Sequence, residues 1–304
     1  MTGTGAVPDV VHTDLTGRPV AVVGAGTLGR RIALMLATRG GEVRISDPSA
    51  EQRAVAVAYV EQQLPEVVPR ITGGSGGRAF AVEDLAAAVA GTWLVVEAVP
   101  ERLEVKKSLF AELDRLAPAD AVLASNSSSY PSSRLVDVVS RPERLLNTHF
   151  YMPPERTAVE VMSCGRTDPA LLERLLHVLP AYGLQPFEVR RESTGFIYNR
   201  VWAAIKRESL AVVEEGIASP EEVDALFCLN LGTERGPFAR MDAVGLDVVL
   251  DIEEHYAADR PGLPEGPRRL LRTMVEQGRL GLKTGQGFYD HRAEVDLAPD
   301  ASDG

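Results

Sequence analysis

Short apolar runs alternate with amphipathic stretches over the first 190 residues of the chain. Apolar runs typical of strands lie at 19–23, 42–47, 93–97, 121–125, 145–149, 158–162 and 185–189. Helical patterns lie between most of them, at 30–39, 49–63, 82–89, 102–116 and 169–182. The run at 93–97 is nearly all apolar, as expected of a parallel strand covered on both faces. The alternation predicts one doubly wound parallel α/β domain.

After residue 190 the pattern becomes helical throughout. Helical patterns lie at 194–216, 220–230, 237–258 and 265–278, and no stretch among them is a convincing strand. We therefore expect a sheet domain over residues 17–190 and an all-α domain over residues 191–290. Residues 1–16 are polar and lack the apolar centre of a signal peptide, so they predict a disordered leader. Residues 291–304 predict a disordered acidic tail.

A glycine-rich turn follows the first predicted strand and opens the first predicted helix. The first glycine permits a tight turn, the second leaves room for a pyrophosphate against the backbone, and the third lets helix and strand pack closely. The helix N-terminus would face the phosphates. The residues predicted to bind a dinucleotide here are Gly24, Gly26, Thr27, Leu28 and Gly29.

An acidic residue completes this pattern. Asp47 ends the second predicted strand, where its carboxylate can accept hydrogen bonds from both ribose hydroxyls of the cofactor. The same carboxylate would repel a 2′-phosphate, which favours NAD over NADP. Strand, glycine turn, helix, strand and acid together predict a Rossmann-type NAD-binding domain.

Charge and composition exclude several classes of function. The net charge is −11, and only four of the residues are lysines, all at or after position 106. This argues against nucleic acid or an anionic membrane as the main partner. No apolar run approaches the roughly 18 residues needed to cross a bilayer. Cys164 and Cys228 make no metal or redox motif, so we expect no metal site and a cytoplasmic protein.

A histidine and a carboxylate on neighbouring apolar runs are candidate catalytic groups. His149 ends the run at 145–149, and Pro153 and Pro154 prevent that run from continuing as a central strand or an ordinary helix. Glu160 lies inside the next run. A histidine at a strand end with a carboxylate one strand later is a plausible general-base pair. A structural histidine is the alternative interpretation.

Two further polar positions allow two interpretations each. Residues 126–129, Asn-Ser-Ser-Ser, follow a predicted strand at the edge where open α/β sheets bind ligands. These serines could instead cap the next helix near Ser132. Asn199 lies in the first turns of a largely apolar helix, where it could bind a ligand or make a cap or helix contact.

Five separated motifs resemble those of the L-3-hydroxyacyl-CoA dehydrogenase family. They are GAGTLG at 24–29, VVEAVPE at 95–101, ASNSSS at 124–129, GFIYNR at 195–200 and KTGQGFY at 283–289. The segment GPF at 236–238, with Asp242 and GLD at 245–247, also fits. The resemblance runs from about residue 19 to residue 290.

The resemblance implies a role for each matching residue. His149 would be the general base, Glu160 would orient it, and Ser128 and Asn199 would hydrogen-bond the reacting oxygen or the adjacent carbonyl. The positions that would contact the NAD cofactor, besides the glycine turn, are Asp47, Glu101, Lys106, Asn126 and Lys283. Lys107, beside Lys106, is interpreted as a solvated charge. The implied reaction interconverts a 3-hydroxyacyl thioester, on CoA or a carrier protein, and its 3-oxo form.

The sequence departs from the family pattern in three places. Met152 stands where the family usually has an asparagine. The spacing from His149 to Glu160 is one residue shorter than in the family, so the difference must be absorbed in the turn at 154–157 if Glu160 is the partner. The segment after Asp47 is short and poor in lysine, and it offers little positive charge to a CoA phosphate.

These departures leave two other functions open. One is a dehydrogenase of a small free hydroxy acid, as in the gulonate and carnitine dehydrogenases of the family, with Arg200, Arg235 or Arg240 binding the carboxylate. The other is an NAD-binding protein without turnover. By family analogy we also expect a homodimer formed through the helical domain.

Overall fold

The computed structural model describes residues 17–292, so the predicted leader at 1–16 and residues 293–304 of the predicted tail lie outside the described residues. The chain divides into two compact units, Met1–Ile197 and Tyr198–Gly304. Among the described residues no helix is both long and apolar enough to cross a membrane.

The first unit is an eight-stranded sheet flanked by helices. The strands are β1 (Val20–Val23), β2 (Glu42–Ser46), β3 (Arg78–Ala81), β4 (Leu94–Glu97), β5 (Val122–Ser125), β6 (Leu145–Phe150), β7 (Ala158–Ser163) and β8 (Gln185–Val189). Their order across the sheet is β3-β2-β1-β4-β5-β6-β7-β8. The order reverses between β1 and β4, and such a reversal opens a crevice at the carboxyl ends of the strands.

Helices cover both faces of this sheet. They are α1 (Thr27–Leu36), α2 (Ala50–Val67), α3 (Leu85–Val89), α4 (Leu103–Leu116) and α5 (Pro169–Val178). Along β1 the buried side chains alternate between two hydrophobic clusters, with Val20 and Val22 in one and Ala21 and Val23 in the other. A strand that is buried on both faces in this way confirms the doubly wound arrangement.

Two features of the sheet differ from the prediction. The sequence pattern predicted no strand at 78–81, but β3 forms there at the edge of the sheet, beside β2. Only Ala79 of its four residues is buried, and this short strand directly follows the glycine-rich segment 72–77. In addition, β7 runs antiparallel to β6, and β8 runs parallel to β7. The sheet is therefore mostly rather than wholly parallel.

The second unit, in its described part, consists of the helices α6 (Tyr198–Glu214), α7 (Pro220–Leu231), α8 (Pro237–Val244), α9 (Leu246–Asp259) and α10 (Gly266–Glu276). Its core is formed by side chains of α6, α8, α9 and α10, including Leu210, Phe238 and Leu271. The single helix predicted at 237–258 is two helices, because Gly245 adopts a φ of 104° between them. The predicted α/β domain followed by a helical domain is confirmed.

Candidate active site

The glycine turn connects β1 to α1 at the switch point of the sheet. Gly24 has a φ of 105°, and a Cβ on it would lie 2.5 Å from the carbonyl oxygen of Ala98. A Cβ on Gly29 would lie 1.9 Å from the carbonyl oxygen of Gly24. A Cβ on Gly26, by contrast, would meet no protein atom within 4 Å. The two outer glycines are thus required by the fold, whereas the middle one borders open space of the kind that a pyrophosphate occupies.

Asp47 lies beside this turn, directly after β2. Its Oδ2 accepts a hydrogen bond from the backbone N–H of Ala25 at 2.9 Å, and its Oδ1 accepts one from the N–H of Ser49 at 2.9 Å. Ser49 in turn caps the N-terminus of α2. The two bonds fix the carboxylate next to the turn, and each oxygen keeps a lone pair for a ribose hydroxyl.

Lys106 is buried beneath the neighbouring strand ends. Its Nζ lies 2.7 Å from Oε1 of Glu97 and 3.0 Å from Oε2 of Glu101, and the lysine is 1% exposed. Lys107 lies at the surface, paired with Asp137. The pairing of Lys106 with Glu97, which is fully buried, was not predicted from the sequence.

Glu101 joins this buried pair to the segment after β5. Burial alone would raise the pKa of its carboxyl, but the Lys106 ammonium and hydrogen bonds from the Ser127 hydroxyl and the Ser129 N–H outweigh burial and lower that pKa. The side chain of Glu101 is 37% exposed. A carboxylate held ionised at the crevice can accept a hydrogen bond from a cofactor hydroxyl or amide.

The polar segment at 126–129 lies at the carboxyl end of β5. Oδ1 of Asn126 accepts a hydrogen bond from the N–H of Phe150 at 2.9 Å and so links the ends of β5 and β6. Ser128 is exposed. The short 3₁₀ helix that begins at Ser132 has no side-chain cap, so the alternative that these serines cap it is wrong.

His149 and Glu160 are direct partners in the β6–β7 ladder. Nδ1 of His149 lies 3.0 Å from Oε2 of Glu160, and the two residues are 7% and 3% exposed. His149 and Glu160 therefore face each other despite the short spacing between them in the sequence, as predicted if Glu160 is the partner. β6 runs parallel to β5, so His149, near the end of β6, lies at the same sheet edge as the carboxyl ends of β4 and β5.

Three other groups around this pair were missed from the sequence. The hydroxyl of Tyr151 donates to Oε2 of Glu160 at 2.6 Å, and the backbone N–H of Ile197 donates to Oε1 at 2.8 Å. The rings of Tyr151 and Phe196 contact the imidazole of His149, with centroid distances of 4.6 and 5.0 Å. Phe196 has a φ of 54°, a strained conformation for a residue with a side chain. For Tyr151 the sequence did hold a signal, since this tyrosine lies two residues after a histidine at a strand end.

Two predicted site residues belong to the second unit. Asn199 is half-buried in the first turn of α6. Lys283 lies in a 3₁₀ turn and pairs with Asp247 at the N-terminus of α9, and that hydrogen bond lowers the pKa of the Asp247 carboxyl. Within residues 17–292 no group of three or more histidine, cysteine or acidic side chains is arranged to hold a metal ion.

Comparison with known proteins identifies the family. The family model described as 3-hydroxyacyl-CoA dehydrogenase, NAD binding domain, matches residues 19–193, and the model of the C-terminal domain matches residues 195–291. The 3-hydroxyadipyl-CoA dehydrogenase of Escherichia coli is 36% identical over 287 residues, which cover 90% of this chain and 59% of that protein. The chain thus spans less than two thirds of that relative.

Two other similar proteins are matched over nearly their whole length. The 5-formyl-3-hydroxy-2-methylpyridine 4-carboxylate 5-dehydrogenase of Mesorhizobium japonicum is 30% identical over 91% of this chain and 92% of that protein. The crystal structure of (S)-3-hydroxybutyryl-CoA dehydrogenase from Ralstonia eutropha superposes with a TM-score of 0.80 at 30% identity and covers 91% of this chain and 99% of that one. The chain belongs to the 3-hydroxyacyl-CoA dehydrogenase family of NAD-dependent oxidoreductases.

Proposed function

We propose that this protein interconverts a 3-hydroxyacyl thioester and its 3-oxo form, with His149 as the general base. The contact between the buried His149 and Glu160, at the same sheet edge as the glycine turn, carries the proposal. A histidine whose Nδ1 faces a carboxylate is held in one tautomer, and its Nε2 is then available as a base. A base at the carboxyl end of the sheet is next to the place where such folds bind their ligands.

The chemistry follows from this geometry. In the oxidative direction Nε2 of His149 takes the hydroxyl proton while the hydrogen on the same carbon leaves as hydride, and a C=O bond forms. NAD supplies the hydride acceptor. Glu160 accepts the Nδ1–H bond and stabilises the imidazolium that results. Ser128 and Asn199 would hydrogen-bond the reacting oxygen or the neighbouring carbonyl of the substrate.

We assign the cofactor to the crevice between β1 and β4. The backbone around Gly26 would hold the pyrophosphate and the carboxylate of Asp47 the adenosine ribose. Glu101 and Asn126 would contact the cofactor nearer its reacting end, and the assignment of Lys283 to the cofactor rests on the family resemblance alone. Lys106 is better described as the buried counter-ion of Glu101 and Glu97 than as a direct cofactor ligand, because its amine is already enclosed by their carboxylates.

The charge of the segment after Asp47 bears on whether the acyl group is carried by CoA or by a carrier protein. The segment after Asp47 offers few cations, and one of them, Arg53, is buried and bonded to the carbonyl of Asp47 and to Glu83. Arg70 and Arg78 remain exposed. A CoA phosphate would thus meet weaker complementary charge here than a lysine-rich segment provides.

A free hydroxy acid is the second candidate substrate. The observation that favours it is the Mesorhizobium relative, which is named for a pyridine carboxylate and is matched over almost its whole length. Arg200, Arg235 or Arg240 would then bind the substrate carboxylate.

A substrate panel separates these proposals. NADH formation at 340 nm would be followed with 3-hydroxybutyryl-CoA, the same acyl group on a carrier protein, and free hydroxy acids. Turnover of a thioester supports the leading proposal, and turnover of free acids alone contradicts it. His149→Ala is expected to abolish turnover and to keep NAD binding, whereas His177→Ala, at an exposed histidine on α5, should leave both unchanged. NAD binding without turnover of any compound would indicate a non-catalytic protein.

We also propose that the second unit forms a homodimer through α7. Leu226, Leu229 and Leu231 on this helix are 61%, 81% and 61% exposed, a cluster of apolar side chains that a second copy of the chain would cover. Leu229→Glu should convert a dimer to a monomer in sedimentation velocity, and Val55→Glu on α2 is the matched control. A monomeric native protein would contradict this.

Both cysteines are free, which supports a cytoplasmic location.

A further inference from the structure

Tyr151 shares one carboxylate oxygen with the proposed base. Oε2 of Glu160 receives the Tyr151 hydroxyl at 2.6 Å and lies 3.0 Å from Nδ1 of His149. We propose that Tyr151 is a positioning residue that sets, through Glu160, the pH at which His149 becomes a competent base. The inference rests on the proposed function, because it assumes that His149 is the base.

The Tyr151 hydroxyl and the His149 imidazole compete for the negative charge on Oε2 of Glu160. A hydroxyl that donates to a carboxylate at 2.6 Å makes a short, charge-assisted hydrogen bond. This bond withdraws negative charge from the oxygen that would otherwise stabilise a protonated His149. With the tyrosine hydroxyl in place, Glu160 therefore stabilises the imidazolium form of His149 less than it would without that hydroxyl.

The surroundings of the pair allow the hydroxyl to be tested separately from the ring. Of the groups in contact with the imidazole, Glu160 from β7 carries a formal charge, Tyr151 adds a hydroxyl dipole, and Phe196, from the segment after β8, is uncharged. The Ile197 N–H holds the other oxygen of Glu160. Tyr151→Phe therefore removes the hydrogen bond to Oε2 of Glu160 and keeps the ring contact, while the Ile197 N–H still holds the other carboxylate oxygen.

The test measures His149 directly and then through activity. In the full chain, the imidazole C–H resonance of His149 is titrated by NMR, with His149→Ala used to assign it. We expect Tyr151→Phe to move the titration midpoint upward by about 0.5 to 1 on the pH scale. The acidic limb of the kcat/KM profile should move the same way, with KM for NAD unchanged. Tyr59→Phe, on α2, is the matched control and should move neither.

A second measurement keeps the test valid if the phenylalanine variant folds poorly. Fluorotyrosine at position 151 makes the hydroxyl a stronger donor, so the midpoint should move downward. A midpoint that stays within about 0.2 of the native value, or moves in the opposite direction, in whichever of the two variants folds overturns the role of Tyr151. That result together with an inactive His149→Ala variant refutes this inference alone, whereas an active His149→Ala variant refutes the base assignment.

Discussion

Replacing Glu160 by glutamine tests how the orientation of His149 contributes to turnover. The carboxylate accepts from the Tyr151 hydroxyl and the Ile197 N–H and lies 3.0 Å from the His149 Nδ1. Glutamine has one acceptor oxygen and one NH₂ group, which can only donate. At least one of the three partners, namely the Tyr151 hydroxyl, the Ile197 N–H and Nδ1 of His149, would therefore face the NH₂ group instead of an acceptor. If the NH₂ group faces Nδ1, the imidazole prefers the tautomer with its proton on Nε2, which is the wrong one for a base.

The size of the effect follows from the burial of the pair. A hydrogen bond to a charged group contributes about 1.5 to 3 kcal/mol, and the upper part of this range applies to a pair as enclosed as this one. With the added cost of the wrong tautomer we expect a loss of about 3 to 4 kcal/mol in transition-state stabilisation, which is roughly a 100- to 1,000-fold fall in kcat.

The assay is NADH formation at saturating substrate, with a deuterium isotope effect to show that hydride transfer limits the rate. The dissociation constant for NAD, from fluorescence titration, should change less than threefold, because Glu160 lies outside the glycine turn. Glu188→Gln, at an exposed position on β8, is the control. A Glu160→Gln variant whose kcat stays within fivefold of the native value would refute the reasoning.

Three further substitutions test other parts of the structure. Gly26→Ala should leave the thermal midpoint of the apo protein nearly unchanged, because no protein atom lies within 4 Å of the added Cβ. It should weaken NAD binding at least tenfold by calorimetry, and unchanged affinity would contradict the cofactor placement. Lys106→Met should cost about 3 to 5 kcal/mol in urea unfolding because it leaves the Glu97 carboxylate buried without a counter-ion, and adding Glu97→Gln should recover most of that loss. Burial alone would raise the pKa of Asp114, but hydrogen bonds from Arg144 and Ser140 outweigh burial and lower that pKa to about 2. The ionised carboxylate should therefore contribute roughly 2 kcal/mol to the free energy of unfolding above pH 4, and this contribution should be lost as the pH falls towards 2. Asp114→Asn should abolish this pH dependence, and a variant that retains it would show that another group is responsible.

Much of the first unit could be predicted because its signals are local. The glycine turn, Asp47 and the buried strands are each specified by a few neighbouring residues. The edge strand β3 was missed because it is only four residues long, buries one side chain and directly follows the glycine-rich segment 72–77. The direction of β7 was missed although a signal existed. A parallel neighbour needs a crossover of a dozen or more residues, and only seven connect β6 to β7.

The contacts within the site were harder to predict than its residues. The sequence indicated that Lys106 differs from Lys107, but Lys106 and Glu97 become partners only because a strand end and the following helix enclose them. Likewise, Tyr151 and Phe196 approach His149 from segments that are more than 40 residues apart in the chain. Contacts of this kind depend on strand register and side-chain direction, which a single sequence does not specify.

The antiparallel ladder between β6 and β7 makes the geometry of the proposed catalytic pair independent of the length of the turn that connects the strands. Because His149 and Glu160 are opposite each other in register, their spacing is fixed by the sheet and not by residues 151–157. The turn can gain or lose residues beyond Tyr151 without moving the base relative to its carboxylate. It is therefore a position where natural variation or a grafted loop can change the surface near His149 while the contact between His149 and Glu160 is kept.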